Sequence, residues 1–300
     1  MIMRHALPVL LSIAAAACGK SPPAQLGGGA DGGGGDPNAA RLSFGVFGDV
    51  RPGSPGDTAH YPTPVITNIF SLMQARGLQF ALGTGDYMFA NSQAEVDAQV
   101  ALLRGAEAGF AGPVYHTMGN HECDGSTASN CPAGTETPNV RAFVAQLTPA
   151  GTPAPYYRVD VATPKGKAKF LFIAANAWST EQSAWLAAQL ADPTAYTFAI
   201  RHEPSGTTAP GVDASDHLLV MAPLTMVLLG HFHEYHRYDV QHVISGNGGA
   251  PVRSGETAGF GFLWIQELED GNLSATEIDQ TTGNPVDTFK LTPNGSPVAG

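Results

Sequence analysis

Five times in this chain a short apolar run stops at a glycine or a sharp turn and is followed at once by a side chain that can hold a metal ion. The runs lead to Asp49, Asp86, Asn120, His202 and His231, and His233 follows two residues after the last. Carboxylate, amide oxygen and imidazole together suit hard-to-borderline divalent ions such as Mn, Fe or Zn. Two such ions about 3.5–4 Å apart, sharing a carboxylate, clamp a phosphoryl group and activate a water for attack on it. One Gly-Asp carries no weight. Five strand ends offering only metal-competent residues do.

The elements that must position them alternate along the chain. Apolar runs predict strands at 41–48, 78–82, 114–118, 169–174, 197–200, 226–229, 240–245 and 260–268. Helical spacing of apolar residues predicts helices over 65–76, 94–104 and 179–190. In α/β sheets the loops at the carboxyl ends of strands converge on one edge, where function gathers. The stretch 123–155, rich in Gly, Pro, Ser and Thr, reads as an irregular insertion. His60, His116, His217 and His242 have no strand-end context and read as surface or core positions. His236 and Tyr87 are expected just outside the ligands, supporting them.

The motifs Gly48-Asp49-Val50-Arg51, Gly85-Asp86, Gly119-Asn120-His121-Glu122, Arg201-His202-Glu203-Pro204 and Gly230-His231-Phe232-His233 resemble those of the calcineurin-like metallophosphoesterases. The run from His231 through Tyr235 to Arg237 resembles the purple acid phosphatase variant of that superfamily. The resemblance implies an αββα sandwich, four layers in which two mixed β-sheets are flanked by helices. It implies two divalent or trivalent metal ions, with Asp49 and His233 on the first, Asp86 bridging, and Asn120, His202 and His231 on the second. His121 would stand outside the coordination sphere, stabilising phosphoryl charge or protonating the leaving oxygen. The implied activity is hydrolysis of a phosphorylated small molecule by a metal-bound hydroxide, with monoesters favoured. Phosphodiesterase or nucleotidase activity is the alternative within the superfamily. A metal-binding surface protein with impaired catalysis is the alternative outside enzymes.

One position departs from the pattern. The family usually places a histidine ligand two residues after the first Asp, and this chain has Arg51 there. Purple acid phosphatases instead supply a tyrosine three residues after the bridging Asp, and position 89 is Phe89. A guanidinium offers no lone pair to a metal. The first ion is therefore expected to have one protein ligand fewer, to bind more weakly or to be completed by water. Arg51 then has two open roles, contact with a substrate phosphate oxygen or an ion pair with a nearby carboxylate.

The rest of the chain bounds the setting. Fifteen Lys+Arg against 26 Asp+Glu leave a net charge of −11, so no general basic surface awaits nucleic acid. A hydrophobic fraction of 43% argues against overall disorder. Arg4, the apolar run 6–17 and the small residues before Cys18 resemble a bacterial lipoprotein signal over 1–17. Cys18 would carry the lipid, and an ordinary signal peptide cut nearby is the alternative. Residues 18–40 read as a tether, since seven of the nine residues 27–35 are glycine. The domain is expected over 41–290, with a flexible tail at 291–300. The chain would be secreted across the inner membrane and lipid-anchored in the periplasm or at the outer membrane, as a monomer. In that setting Cys123 and Cys131 are expected to form a disulfide.

Overall fold

The computed structural model describes residues 36, 38–123, 131 and 137–298. The signal at 1–17, Cys18 and nearly all of the tether lie outside the described residues. Among the described residues no helix is long and apolar enough to cross a membrane.

Two six-stranded mixed sheets face each other. The first is built from β1 (Ser43–Phe47), β2 (Phe80–Gly83), β3 (Val114–His116), β10 (Gly261–Glu267), β11 (Leu273–Asp279) and β12 (Pro285–Leu291), in the order β12-β11-β10-β1-β2-β3. The second holds β4 (Tyr157–Thr163), β5 (Gly166–Ile173), β6 (Tyr196–Arg201), β7 (Met226–Leu229), β8 (Tyr235–Arg237) and β9 (His242–Ser245), in the order β4-β5-β6-β7-β9-β8. β1, β2 and β3 run parallel, as do β5, β6, β7 and β9.

Side chains alternate across each strand, and the alternation builds three apolar layers. Phe44 and Val46 point between the sheets with Phe80, Phe170, Phe198, Met226 and Leu228. There Phe44 stacks on Phe80 at 5.0 Å, Phe170 stacks on Phe198 at 4.8 Å, and the two pairs meet edge to face. On the outer face of the first sheet, Phe47 and Ala81 meet Ile66, Ile69, Phe70 and Met73 of helix α1 (Thr63–Ala75) and Val96, Val100 and Leu103 of α2 (Gln93–Glu107). On the outer face of the second, Leu171, Ala199 and Val227 meet Leu186 of α4 (Thr180–Ala191) and Leu219 of α5 (Val212–Leu219). The expected four-layer αββα sandwich is the observed one.

Three differences from expectation concern order. The 123–155 stretch contains a short helix, α3 (Pro138–Ala142), capped by the Thr137 side chain and continued by one wide helical turn to Leu147. Within it, residues 124–130 and 132–136 lie outside the described residues. The segment expected as a flexible tail after 290 is tied down as far as Val298. β12 runs to Leu291, Pro297 bridges back to Leu291, and the Thr225 hydroxyl donates to the Pro293 carbonyl. Finally, β4, β8, β11, β12 and α5 are elements that apolar spacing did not predict.

Candidate metal centre

The carboxyl ends of β1, β2 and β3 meet those of β6 and β7 at one edge, and there the expected ligands converge. Asp49, Asp86 and His231 each follow a parallel strand, and they are the non-glycine residues with positive φ among those described, at 53°, 60° and 75°. The left-handed region is uncommon for residues other than Gly, with Asn, Asp and His the ones that tolerate it best, and residues held there gather at functional sites. It turns each ligand inward directly off its strand. The preceding glycines let the loops close up. A Cβ on Gly85 would run into His202 Nδ1, and one on Gly119 into Asp86 Oδ1.

In one half of the centre, His202 Nε2 lies 3.2 Å from Asp86 Oδ1 and 3.1 Å from Asn120 Oδ1, and His231 Nδ1 lies 3.1 Å from the same Asn120 oxygen. The Thr84 carbonyl accepts from His202 Nδ1 at 2.8 Å, which leaves Nε2 turned into the site. In the other half, Asp49, Asp86 and His233 each offer a ligand atom within 4.8 Å of one another. Asp49 Oδ1 and Asp86 Oδ2 are buried there without a hydrogen-bond partner. Buried carboxylate oxygens left bare are costly unless a cation satisfies them. The donor set around His202, His231 and Asn120 fits a divalent ion, and the orphaned oxygens of the other half call for positive charge beside them.

The titration of these groups follows from burial and from their neighbours. Burial pushes the Asp49 carboxyl well up. At Asp86 the same burial is outweighed by His202 and His121, which hold it well below the usual range. Burial opposes the charge on His202 too, but Asp86 and Asp49 raise it well above its ordinary value. His231 is lowered to about 3 and His233 to about 4, in both cases chiefly by burial. Those two imidazoles are therefore neutral at physiological pH, each with one ring nitrogen carrying a lone pair.

His121 stands beside the ligands, with Nε2 3.8 Å from Asp86 Oδ2 and its ring against Phe89 at 4.5 Å. Arg51 takes the ion-pair role: its Nε lies 3.5 Å from Asp86 Oδ2, and its guanidinium sits over the Phe89 ring at 5.0 Å. The Tyr87 hydroxyl lies behind the Asp86 loop and accepts from the Gly85 N–H at 3.0 Å. His236 does not support the ligands. It lies exposed on the edge strand β8 with its ring against Tyr238 at 4.5 Å, because strand pairing with β9 carries it away from His233. Tyr235 and Arg237 bind Asp287 instead of facing the site. Cys123 and Cys131 form the expected disulfide.

Three residues acquire roles that motif spacing did not reveal. The Glu122 carboxylate accepts from the backbone N–H groups of Asp86 at 2.9 Å, Tyr87 at 2.7 Å, Met88 at 3.3 Å and Gly119 at 2.8 Å. It thereby ties the β2 and β3 loops together. Glu203 is buried within ligand distance of His202 and His231, with its carboxyl raised by burial. Arg253 reaches in from the loop after β9 and places Nη2 3.0 Å from His233 Nε2.

No protein-family model matches the chain, and no curated protein matches it. Solved structures do. A purple acid phosphatase from yellow lupin (Lupinus luteus) seeds superposes with a TM-score of 0.62 at 17% identity, over 88% of this chain and 57% of that one. The chain thus spans little more than half the length of that phosphatase. The anchor in the inner membrane complex of Plasmodium matches at 0.62 and 16% identity, over 85% of this chain and 90% of that one. A dimetal phosphatase from Danio rerio matches at 0.55 and 12% identity, over 84% and 99%. The chain shares the two-sheet αββα architecture of these purple acid and dimetal phosphatase structures.

Proposed function

We propose that this chain is a metal-dependent hydrolase of phosphate esters, acting on phosphorylated small molecules with monoesters preferred. The observation that carries the reading is the convergence of Asp86, Asn120, His202 and His231 at ligand distance, with the bare oxygens of Asp49 and Asp86 and with His121 beside them. A divalent ion bound there supplies Lewis acidity, lowering the pKa of water and neutralising phosphoryl oxygens. The protein does the rest. Asp86 faces both halves of the centre, and Asn120 Oδ1 fixes the spacing of two imidazoles. His121, buried against Phe89, is positioned to hold a proton for the departing oxygen. Arg51 places a guanidinium charge at the centre, over the Phe89 ring and beside Asp86, which suits the extra oxygen charge of a monoester.

Residues 41–298 form the hydrolase domain in this reading. The run ending in Ala17-Cys18 would anchor it to a membrane outside the cytoplasm through the glycine tether. The Cys123–Cys131 disulfide supports an oxidising compartment. The test is hydrolysis of a chromogenic phosphate monoester and a diester with Mn, Zn or Fe, with chelator as control. Turnover that needs metal is expected, and Asn120→Ala should lower it at least ~100-fold, beyond the loss usual for an outer-shell partner. Absence of hydrolysis with every metal removes the reading.

A further inference from the structure

Beside His233, one half of the centre already contains cations of the protein's own. The Pro251 carbonyl accepts from His233 Nδ1 at 2.6 Å, so the lone pair of this imidazole is on Nε2. That lone pair faces Arg253 Nη2 at 3.0 Å, and Arg51 Nη2 lies 3.5 Å from the same atom. Arg51 is only 7% exposed, and its Nε points at Asp86 Oδ2 without a hydrogen bond. A divalent ion bound by Asp49, Asp86 and His233 would have to displace Arg253 and sit beside a second guanidinium. Like charges so close in a buried site repel strongly. In the other half, the imidazoles of His202 and His231 meet Asp86 and Asn120 oxygens.

The charge balance points the same way. Two divalent ions against the carboxylates Asp49 and Asp86 would leave a centre of about +2, counting formal charges. One divalent ion together with Arg51 and Arg253 leaves the same. We propose that this chain works with one tightly held divalent ion, bound by Asp86, Asn120, His202 and His231, and that Arg51 and Arg253 stand in for the second ion by binding phosphoryl oxygens. Guanidinium forks match that task, since their N–H pairs meet two oxygens at once. The Arg253 loop is placed for it: the Glu256 carboxylate accepts from the Arg253 N–H at 2.6 Å and from the His233 N–H at 3.0 Å.

This inference rests on the phosphoesterase reading, and the metal count separates the two. The purified full chain, saturated with Mn or Zn and freed of loosely bound ions, is assayed for metal per chain by elemental analysis. One ion is expected. Two tightly held ions would overturn the arginine substitution and leave the phosphoesterase reading intact, whereas none would overturn both. The double substitution Arg51→His with Arg253→Ala should raise the count to two. Should that variant fold poorly, Arg253→Met, at an exposed position, supplies a second readout. Inorganic phosphate is titrated into the metal-loaded protein by calorimetry. At least ~10-fold weaker binding with an unchanged metal count is expected from losing one charge-assisted contact. Unchanged phosphate affinity counts against the proposal.

Discussion

The two halves of the centre are held by the same device at very different strength. Behind Asp86 and Asn120, the buried Glu122 carboxylate gathers four backbone N–H groups from two loops. Behind His233 and Arg253, the half-buried Glu256 gathers two, one from the loop after β7 and one from its own loop after β9. The half that presents lone pairs to an ion is thus built on interior backbone, where ligand spacing cannot drift. In the other half Arg51 is buried just after β1, and Arg253 is hung from an exposed loop where a long side chain has room to move. On the proposed function, rigidity falls where metal geometry demands it, and freedom where a phosphate would enter and leave.

The largest effect is expected from breaking the stronger clamp. Glu122→Ala leaves four N–H groups without their acceptor in a dry interior. At about 1 kcal/mol or more for each, the loss is roughly 4 kcal/mol, a large fraction of the stability of an ordinary domain. The variant should be mostly insoluble or show a strongly lowered denaturation midpoint. A midpoint close to wild type would mean that the two clamps do not differ in kind.

A smaller effect, tied to pH, reaches the arginine half from behind. Glu277 on β11 is fully buried, accepts from the Asn247 amide at 2.8 Å, and is pushed up to about 8 chiefly by burial. Asn247 belongs to the glycine turn after β9, whose Gly248 N–H donates to the Gly48 carbonyl beside Asp49. In the unfolded chain this carboxyl ionises near the ordinary 4.5. Between these two values the folded protein holds a proton that the unfolded chain has lost. This contribution to stability is therefore full below pH 4.5 and declines as pH rises towards 8. The slope is at most ~1.4 kcal/mol per pH unit. Glu277→Gln keeps the acceptor oxygen and should flatten the slope in denaturant titrations from pH 5 to 9. An unaltered slope would place the buried proton elsewhere.

How far the sequence could be read follows the same division. The parallel strands β1, β2, β6 and β7 are buried on both faces, so they appear as plain apolar runs; glycines at the ends of β1, β2 and β7 mark ligands, and β6 runs through Arg201 straight into His202. β12 alternates exposed and buried positions at a sheet edge, and its Pro285 and Lys290 blur any apolar signal. α5 has only eight residues, too few for its spacing to stand out. Glu122 was visible inside a motif, but its work is done on backbone groups up to 36 residues earlier in the chain, which no spacing encodes. Arg253 was invisible. It lies in a loop 20 residues after the histidine it meets, and only the fold of the 251–257 segment brings the two together. Arg51 was legible as a departure, and its partner needed coordinates.

The smallest effect tests the weaker clamp, and it separates placement from stability. Glu256→Ala removes the acceptor for the His233 and Arg253 N–H groups at a site where water can replace it. About 1 kcal/mol of stability or less is therefore expected to be lost. The bound ion in the other half should be retained, because none of its four ligands touches Glu256 among the contacts described. Arg253 would be freed from its turn, and inorganic phosphate should bind several-fold more weakly at an unchanged metal count. A loss of metal with no change in phosphate affinity would reverse the assignment, making the Glu256 loop a support for the ion and not for the anion. A stability loss equal to that of Glu122→Ala would abolish the distinction between a rigid half and an adjustable one. If the distinction holds, changes in the 251–257 loop should alter phosphate affinity, while changes beneath Asp86 should cost the fold.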